Sequence, residues 1–180
     1  VKEDAMRKAL CIIATIFFIL AWVSCGPKQQ EAEAAKKIYA AIEVEERGIM
    51  FFELYPEKAP NGVAQFTRLA KEGFYDGLLF WHISDKGLVQ SGCPSNDGTG
   101  HAGNLIKEEI EATLHHERGT LSMINFGRPW TTSSQFIICR KAVPELDGRY
   151  TIIGKLMKGE EVLDEIERND KIKTVTIKEE

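Results

Sequence analysis

Two adjoining runs constrain this chain more than anything else in it. Ile38, Ala40, Ile42 and Val44 alternate with Tyr39, Ala41 and Glu43, and after Glu45-Glu46-Arg47-Gly48 comes Ile49-Met50-Phe51-Phe52-Glu53-Leu54. Period-two alternation predicts a strand, and the polar link ending in Gly predicts the turn of a hairpin. The second strand has apolar residues on both faces. It therefore needs cover on both, as in a barrel wall with one face inward and the other under a helix. A helix follows at once: Ala59-Pro60 puts Pro at its favoured first position, Val63, Phe66, Leu69 and Ala70 recur at helical spacing, and Gly73 ends the run.

Short strand-like segments joined by Gly- and Pro-rich links make up most of the rest: Leu79–Ser84, Leu88–Ser91, Gly119–Met123, Gln135–Cys139, Thr151–Met157 and Lys173–Lys178. A second helix is predicted over Glu160–Arg168, with Val162, Leu163 and Ile166 on one side. The expected fold is mainly β, a closed eight-stranded antiparallel barrel capped by two α-helices.

The N-terminal part has a different character. Arg7 and Lys8 precede an apolar run from Ala9 to Val23 that ends at Ser24-Cys25-Gly26, the layout of a signal peptide. The run is short for a bilayer span, which needs roughly 20 apolar residues. A Cys after a small residue suggests lipoprotein processing with Cys25 acylated, and an uncleaved signal anchor is the competing reading. The expected organisation is a signal peptide over 1–24, a solvated tether over 25–37 and one domain over 38–180. The expected location is the bacterial cell envelope, lipid-anchored to the membrane and facing the periplasm or exterior.

Several function classes are disfavoured. A net charge of −4 makes a poor nucleic-acid binder. His82, His101, His115 and His116 lack the paired spacing of metal ligands, so no metal and no cofactor is expected; His115-His116 reads as a solvated turn. Gly98-Thr99-Gly100-His101 is not a complete phosphate loop, and Ser133-Ser134 is not a hydrolase elbow. Glu108-Glu109-Ile110-Glu111 reads as solvated acidic surface. Beyond the N-terminal segment only Cys93 and Cys139 could pair, and two buried or free thiols are the leading expectation.

Several segments, in order, resemble the cyclophilin family from about Ile38 to Ile177. They are Phe51-Phe52-Glu53-Leu54-Tyr55-Pro56-Glu57-Lys58-Ala59-Pro60, Gly73-Phe74-Tyr75-Asp76-Gly77, Gln90-Ser91-Gly92, Gly119-Thr120-Leu121-Ser122-Met123 with Asn125, Ser134-Gln135-Phe136, and Leu146-Asp147-Gly148-Arg149-Tyr150. Each is weak alone, but their order and spacing are specific. The resemblance implies a cyclophilin-like barrel and a peptidyl-prolyl cis-trans isomerase acting on Pro-containing polypeptides, a monomer assisting the folding of secreted or envelope proteins. The alternative is a weak or inactive binding module of the same fold.

Rotation about a prolyl bond is slow because the amide C–N bond has partial double-bond character, with a barrier of about 18–20 kcal/mol. An enzyme for it holds the ring, fixes the flanking backbone and offers a donor to the prolyl nitrogen as resonance is lost. The family uses an Arg, a Gln eight residues later and an aromatic pocket. Carried onto this chain, the Arg position falls on His82 and the Gln on Gln90, the candidate catalytic pair. Phe80, Leu88, Asn125, Gln135, Phe136, Ile137, Leu146 and Tyr150 are the implied substrate-binding residues. The departures are substantial: His replaces Arg, and the pocket aromatics fall on Gly87, Ile137 and Glu145. Arg has a rigid fork of donors and a permanent charge, whereas His reaches less far. Arg128, in a loop about one residue longer than usual, is a candidate substitute cation, and Trp130 a candidate wall.

Overall fold

A computed structural model describes residues 36–180. The expected signal peptide over 1–24, the expected acylation at Cys25 and the expected tether except Lys36 and Lys37 lie outside the described residues. The chain runs β1 (Ile38–Val44), β2 (Gly48–Leu54), α1 (Pro60–Lys71), β3 (His82–Ile83), β4 (Leu88–Ser91), β5 (Thr120–Met123) and β6 (Phe136–Cys139). A 3₁₀ turn at Pro144–Leu146, β7 (Thr151–Lys158), α2 (Glu160–Glu165) and β8 (Ile172–Glu179) follow. All strands join one antiparallel sheet in the order β3-β4-β6-β5-β7-β2-β1-β8.

The sheet curls without closing, which corrects the expected closed barrel: no ladder joins its edges, β3 and β8. The cause lies in the segment before β3. Leu79 makes an isolated bridge to Lys171, and Phe80 exchanges hydrogen bonds with Asn169 and Asp170. Only His82 and Ile83 then turn to β4, so the predicted strand over Leu79–Ser84 splits between two partners.

The hairpin forms as its alternation requires. Ala40, Ile42, Val44, Met50, Phe52 and Leu54 share the inner face and are buried. Val63, Phe66, Leu69 and Ala70 of α1 and Val162 and Leu163 of α2 join the same core. Burying such side chains stabilises the fold by about 1.5–3 kcal/mol each. The outer face of β2 is not covered as expected: Ile49 and Phe51 are 40% and 44% exposed. Both helices spend their apolar stripes on the interior instead. α2 is also shorter than its periodicity predicts. The N–H of Glu167 is taken by the Asp170 carboxylate at 2.8 Å, which starts a turn where another helical residue would be, and Asn169 adopts a left-handed φ of 73°.

Cys93 and Cys139 are both free and buried. Among the described residues no helix is long and apolar enough to cross a membrane.

Candidate active site

Directly opposed residues of antiparallel strands share a face. His82 pairs with Gln90, Gln90 with Ile137, and Ile137 with Ser122. One row of side chains thus crosses β3, β4, β6 and β5 on the face opposite the core. Leu88 lies two residues along β4 on the same face, half-buried. His82 is exposed, at the free edge of the sheet, while Ile137 is only 2% exposed and serves as floor.

Gln90 is held by Gln135. Its Nε2 donates to Gln135 Oε1 at 3.0 Å, while Gln135 Nε2 donates to the carbonyls of Gly98 and Gly100 at 2.9 and 2.8 Å. Two carbonyl acceptors require the nitrogen of Gln135 on their side, so the orientation of both amides follows from the network. Gln90 keeps Oε1 as its unspent atom.

The loop that orients Gln135 is built on Cys93. Its Sγ accepts from the N–H groups of Gly98 and Gly100 at 3.2 and 3.3 Å and lies 3.2 Å from Ser95 Oγ. Burial pushes the thiol up, but these hydrogen bonds outweigh it and hold Cys93 below its ordinary pKa. Burial without such donors pushes Cys139 up to about 12. Trp81 packs against the same loop, since a Cβ on Gly98 would lie 2.7 Å from its ring. The loop's role was not legible in its Gly-Thr-Gly motif, because nothing there marks a sulfur as the acceptor.

Asn125 and Tyr150 line a common cleft, and Leu146 opens the turn that leads to Tyr150, its carbonyl accepting from Arg149 N–H. Asn125 Nδ2 donates to the Arg149 carbonyl at 3.4 Å and Oδ1 accepts from Gly127 N–H at 3.0 Å. Asp147, between Leu146 and Tyr150, takes the backbone N–H and ring of His116, each at 2.8 Å, and the ring of His115 at 2.9 Å. Burial pushes Asp147 up, but these bonds hold it down at about 2. His116 is 1% exposed, which corrects the solvated-turn reading: it pins the Leu146–Tyr150 hairpin.

Two expected substrate-binding residues are elsewhere. Phe80 and Phe136 are fully buried in the interior core: Phe136 adjoins Ile137 in β6 and so points to the other face, while Phe80 lies before β3, where the chain bonds Asn169 and Asp170 instead of β4. The acidic run is not simply solvated surface either. Glu109 caps α1 through the N–H groups of Asn61 and Gly62 at 3.1 and 2.9 Å, and Glu108 accepts from Trp130 N–H at 2.9 Å. Arg128 and Trp130 stand outside the His82 row. Trp130 is 62% exposed, with the Lys107 ammonium 5.2 Å from its ring centroid.

The departure at Gly87 has a local cause. Asp85-Lys86-Gly87 closes the β3–β4 hairpin, with Gly87 N–H bonded to the Ser84 carbonyl at 2.9 Å. Gly87 takes a left-handed φ of 79°, and an added Cβ would meet Lys141 Cγ at 2.9 Å. A three-residue hairpin loop places Gly in this conformation, so no aromatic can be carried there without strain.

An eight-stranded antiparallel curl with two helices and a His–Gln row braced by a second Gln is the framework of a cyclophilin-like prolyl isomerase. The chain belongs to the family described as "Cyclophilin type peptidyl-prolyl cis-trans isomerase/CLD", whose family model matches residues 39–179. It is similar to a peptidyl-prolyl cis-trans isomerase of Helicobacter pylori, 42% identical over 149 residues covering 81% of this chain and 90% of that protein. It is also similar to peptidyl-prolyl cis-trans isomerase B of Bacillus subtilis, 45% identical over 127 residues covering 70% and 88%. A crystal structure of a Cryptosporidium parvum cyclophilin type peptidyl-prolyl cis-trans isomerase superposes with a TM-score of 0.74 at 30% identity, covering 79% of this chain and 98% of that one.

Proposed function

We propose that this chain isomerises X–Pro bonds in extended polypeptides, with His82 donating a ring N–H toward the prolyl nitrogen as amide resonance is lost. The observation that carries this reading is the cross-strand pair His82–Gln90, with Gln90 oriented by Gln135. In its imidazolium form His82 has two ring N–H groups, one for the prolyl nitrogen and one to be taken up by Gln90 Oε1, which has no partner among the described residues, so that a second group orients the imidazole. Leu88 and Ile137 give the proline ring an apolar seat, and Asn125, Leu146 and Tyr150 flank the peptide. A donor that bonds only the twisted amide stabilises the transition state over the ground state, which is all the reaction requires.

The clients are secreted or envelope proteins met at the membrane, with the enzyme a monomer tethered through an acylated Cys25. The arrangement Arg7-Lys8, apolar run, Ser24-Cys25 supports this placement. Globomycin-sensitive processing and loss of membrane association in Cys25→Ser test it.

A second reading, a binding module with little turnover, is favoured by one observation: the family's pocket aromatics are replaced by Gly87 and Ile137. A protease-coupled assay on a proline tetrapeptide separates the two. Turnover that His82→Ala abolishes supports catalysis through the imidazole; peptide binding without turnover in the parent chain supports the binding module.

A further inference from the structure

A cleft of about 440 Å³ lies outside the His82–Gln90 row and has no part in the reaction described above. Glu108, Ile110, Asn125, Arg128, Arg149 and Tyr150 face it. Asn125 and Tyr150 are the residues proposed above to flank the peptide, and on that reading the cleft lies beside the bound chain. What sets it apart is the state of its charges.

Most cations of the domain are already partnered. Arg47 is paired with Asp170 and Glu167, Arg118 with Asp164, Lys155 with Glu117 and Lys173 with Glu43, and Arg140 donates to the carbonyls of Leu163 and Ile166. The guanidinium groups of Arg128 and Arg149 make no hydrogen bond or ion pair among the described residues, and both face this one cleft. The acids nearby are engaged. Glu108 accepts from the N–H groups of Trp130 and Thr131 at 2.9 and 3.4 Å and from the Thr132 hydroxyl at 3.3 Å, and Glu145, whose charge Arg149 feels, is bridged to Lys86 at 3.0 Å.

We propose that this cleft is a specificity subsite for an acidic side chain of the substrate, so that prolines with Asp or Glu within two residues are preferred. The inference rests on the isomerase reading for its peptide substrate. Two unspent guanidinium forks match a carboxylate in shape and charge. Asn125 and Tyr150, as the flanking residues, place the carboxylate on the same chain as the proline. Exposed ion pairs contribute modestly, so the preference is a matter of several-fold rather than thousands.

The test is kcat/KM of the full chain on tetrapeptide and pentapeptide series in which each position within two residues of proline carries Asp, Gln or Lys. Asp is expected to exceed Gln about three- to tenfold at one position, with Lys below Gln. The ratio falls to about one in Arg128→Ala/Arg149→Ala and reverses toward Lys in Arg128→Glu/Arg149→Glu. Equal use of Asp and Gln at every position, or an Asp preference that persists in the double Ala variant, overturns the subsite. If no peptide turns over, the isomerase reading fails by itself. The same Asp-to-Gln comparison, made by peptide-binding anisotropy on the parent and double variant, then decides the subsite by the same criteria.

Discussion

Gln90 gives one side-chain N–H to Gln135 at 3.0 Å, which fixes the amide and leaves Oε1 as its acceptor for the rest of the site. An amide free to flip would offer either end. Here the flip is barred because Gln135 has committed its own nitrogen to Gly98 and Gly100. The acceptor at Gln90 suits a donor-only neighbour, which Arg always is and which His is as the imidazolium, both ring nitrogens then donating.

Restoring the family's cation follows from that. His82→Arg should raise kcat/KM on the order of three- to tenfold, because a fork can bond Gln90 Oε1 and still point a donor at the prolyl nitrogen. Gln90→Ala should lower the parent activity about 10- to 100-fold, the worth of a hydrogen bond of about 1.5–3 kcal/mol to a charge-bearing group. Steady-state kinetics of the two variants beside the parent check both directions.

The pocket can be rebuilt at one position and not at the other. Ile137→Phe keeps an ordinary strand backbone and should lower KM for proline peptides, since a ring adds apolar contact. Gly87→Phe should instead cost about 1–3 kcal/mol in stability, because φ is 79° and Lys141 occupies the space for a Cβ. Denaturant melts with peptide titration distinguish the two results.

Cys93 makes stability depend on pH. Its folded pKa is depressed, so its contribution is fully present above the unfolded thiol value of about 8.5 and fades as pH falls through the folded value. Between pH 7 and 9 the parent should gain stability relative to Cys93→Ala as the thiolate forms. Thermal melts across this range read the difference, and a constant gap between the two proteins would count against a thiolate in the loop.

Asp147 acts at the acid end. Its folded pKa of about 2 lies below the usual carboxylate range, so its contribution is present above about pH 4 and is lost as pH falls toward 2. Asp147→Asn should cost about 1–3 kcal/mol at neutral pH and flatten the acid limb of the stability curve. Equilibrium unfolding from pH 6 to 2.5 tests it.

The fold was legible where one local rule decided the outcome. Alternation placed β1 and β2, and Pro60 with the Val63–Ala70 spacing placed α1. It was less legible where the chain changes partners: nothing in Leu79-Phe80-Trp81-His82 announces that its first half bonds the approach to β8 and its second half β4. The family resemblance made His82 and Gln90 a candidate pair, and the structure opposes them across β3 and β4. The same reading sends Phe136 to the groove because it ignores which face the position takes, and Phe80 because it does not see the change of partner before β3. Glu108, Glu109 and His116 looked solvated because polarity in a sequence does not reveal a partner some 20 to 50 residues away.

β3 contributes two residues to the sheet, is paired on one side only, and is tethered upstream by the bridge between Leu79 and Lys171. Elements with so few backbone bonds open first on heating. His82 therefore sits on the part of the molecule with the least to lose before it lets go. On the proposed role of His82, function and fold have separate heat tolerances: turnover should decline while circular dichroism still reports a native sheet, and return on cooling without any refolding of the core.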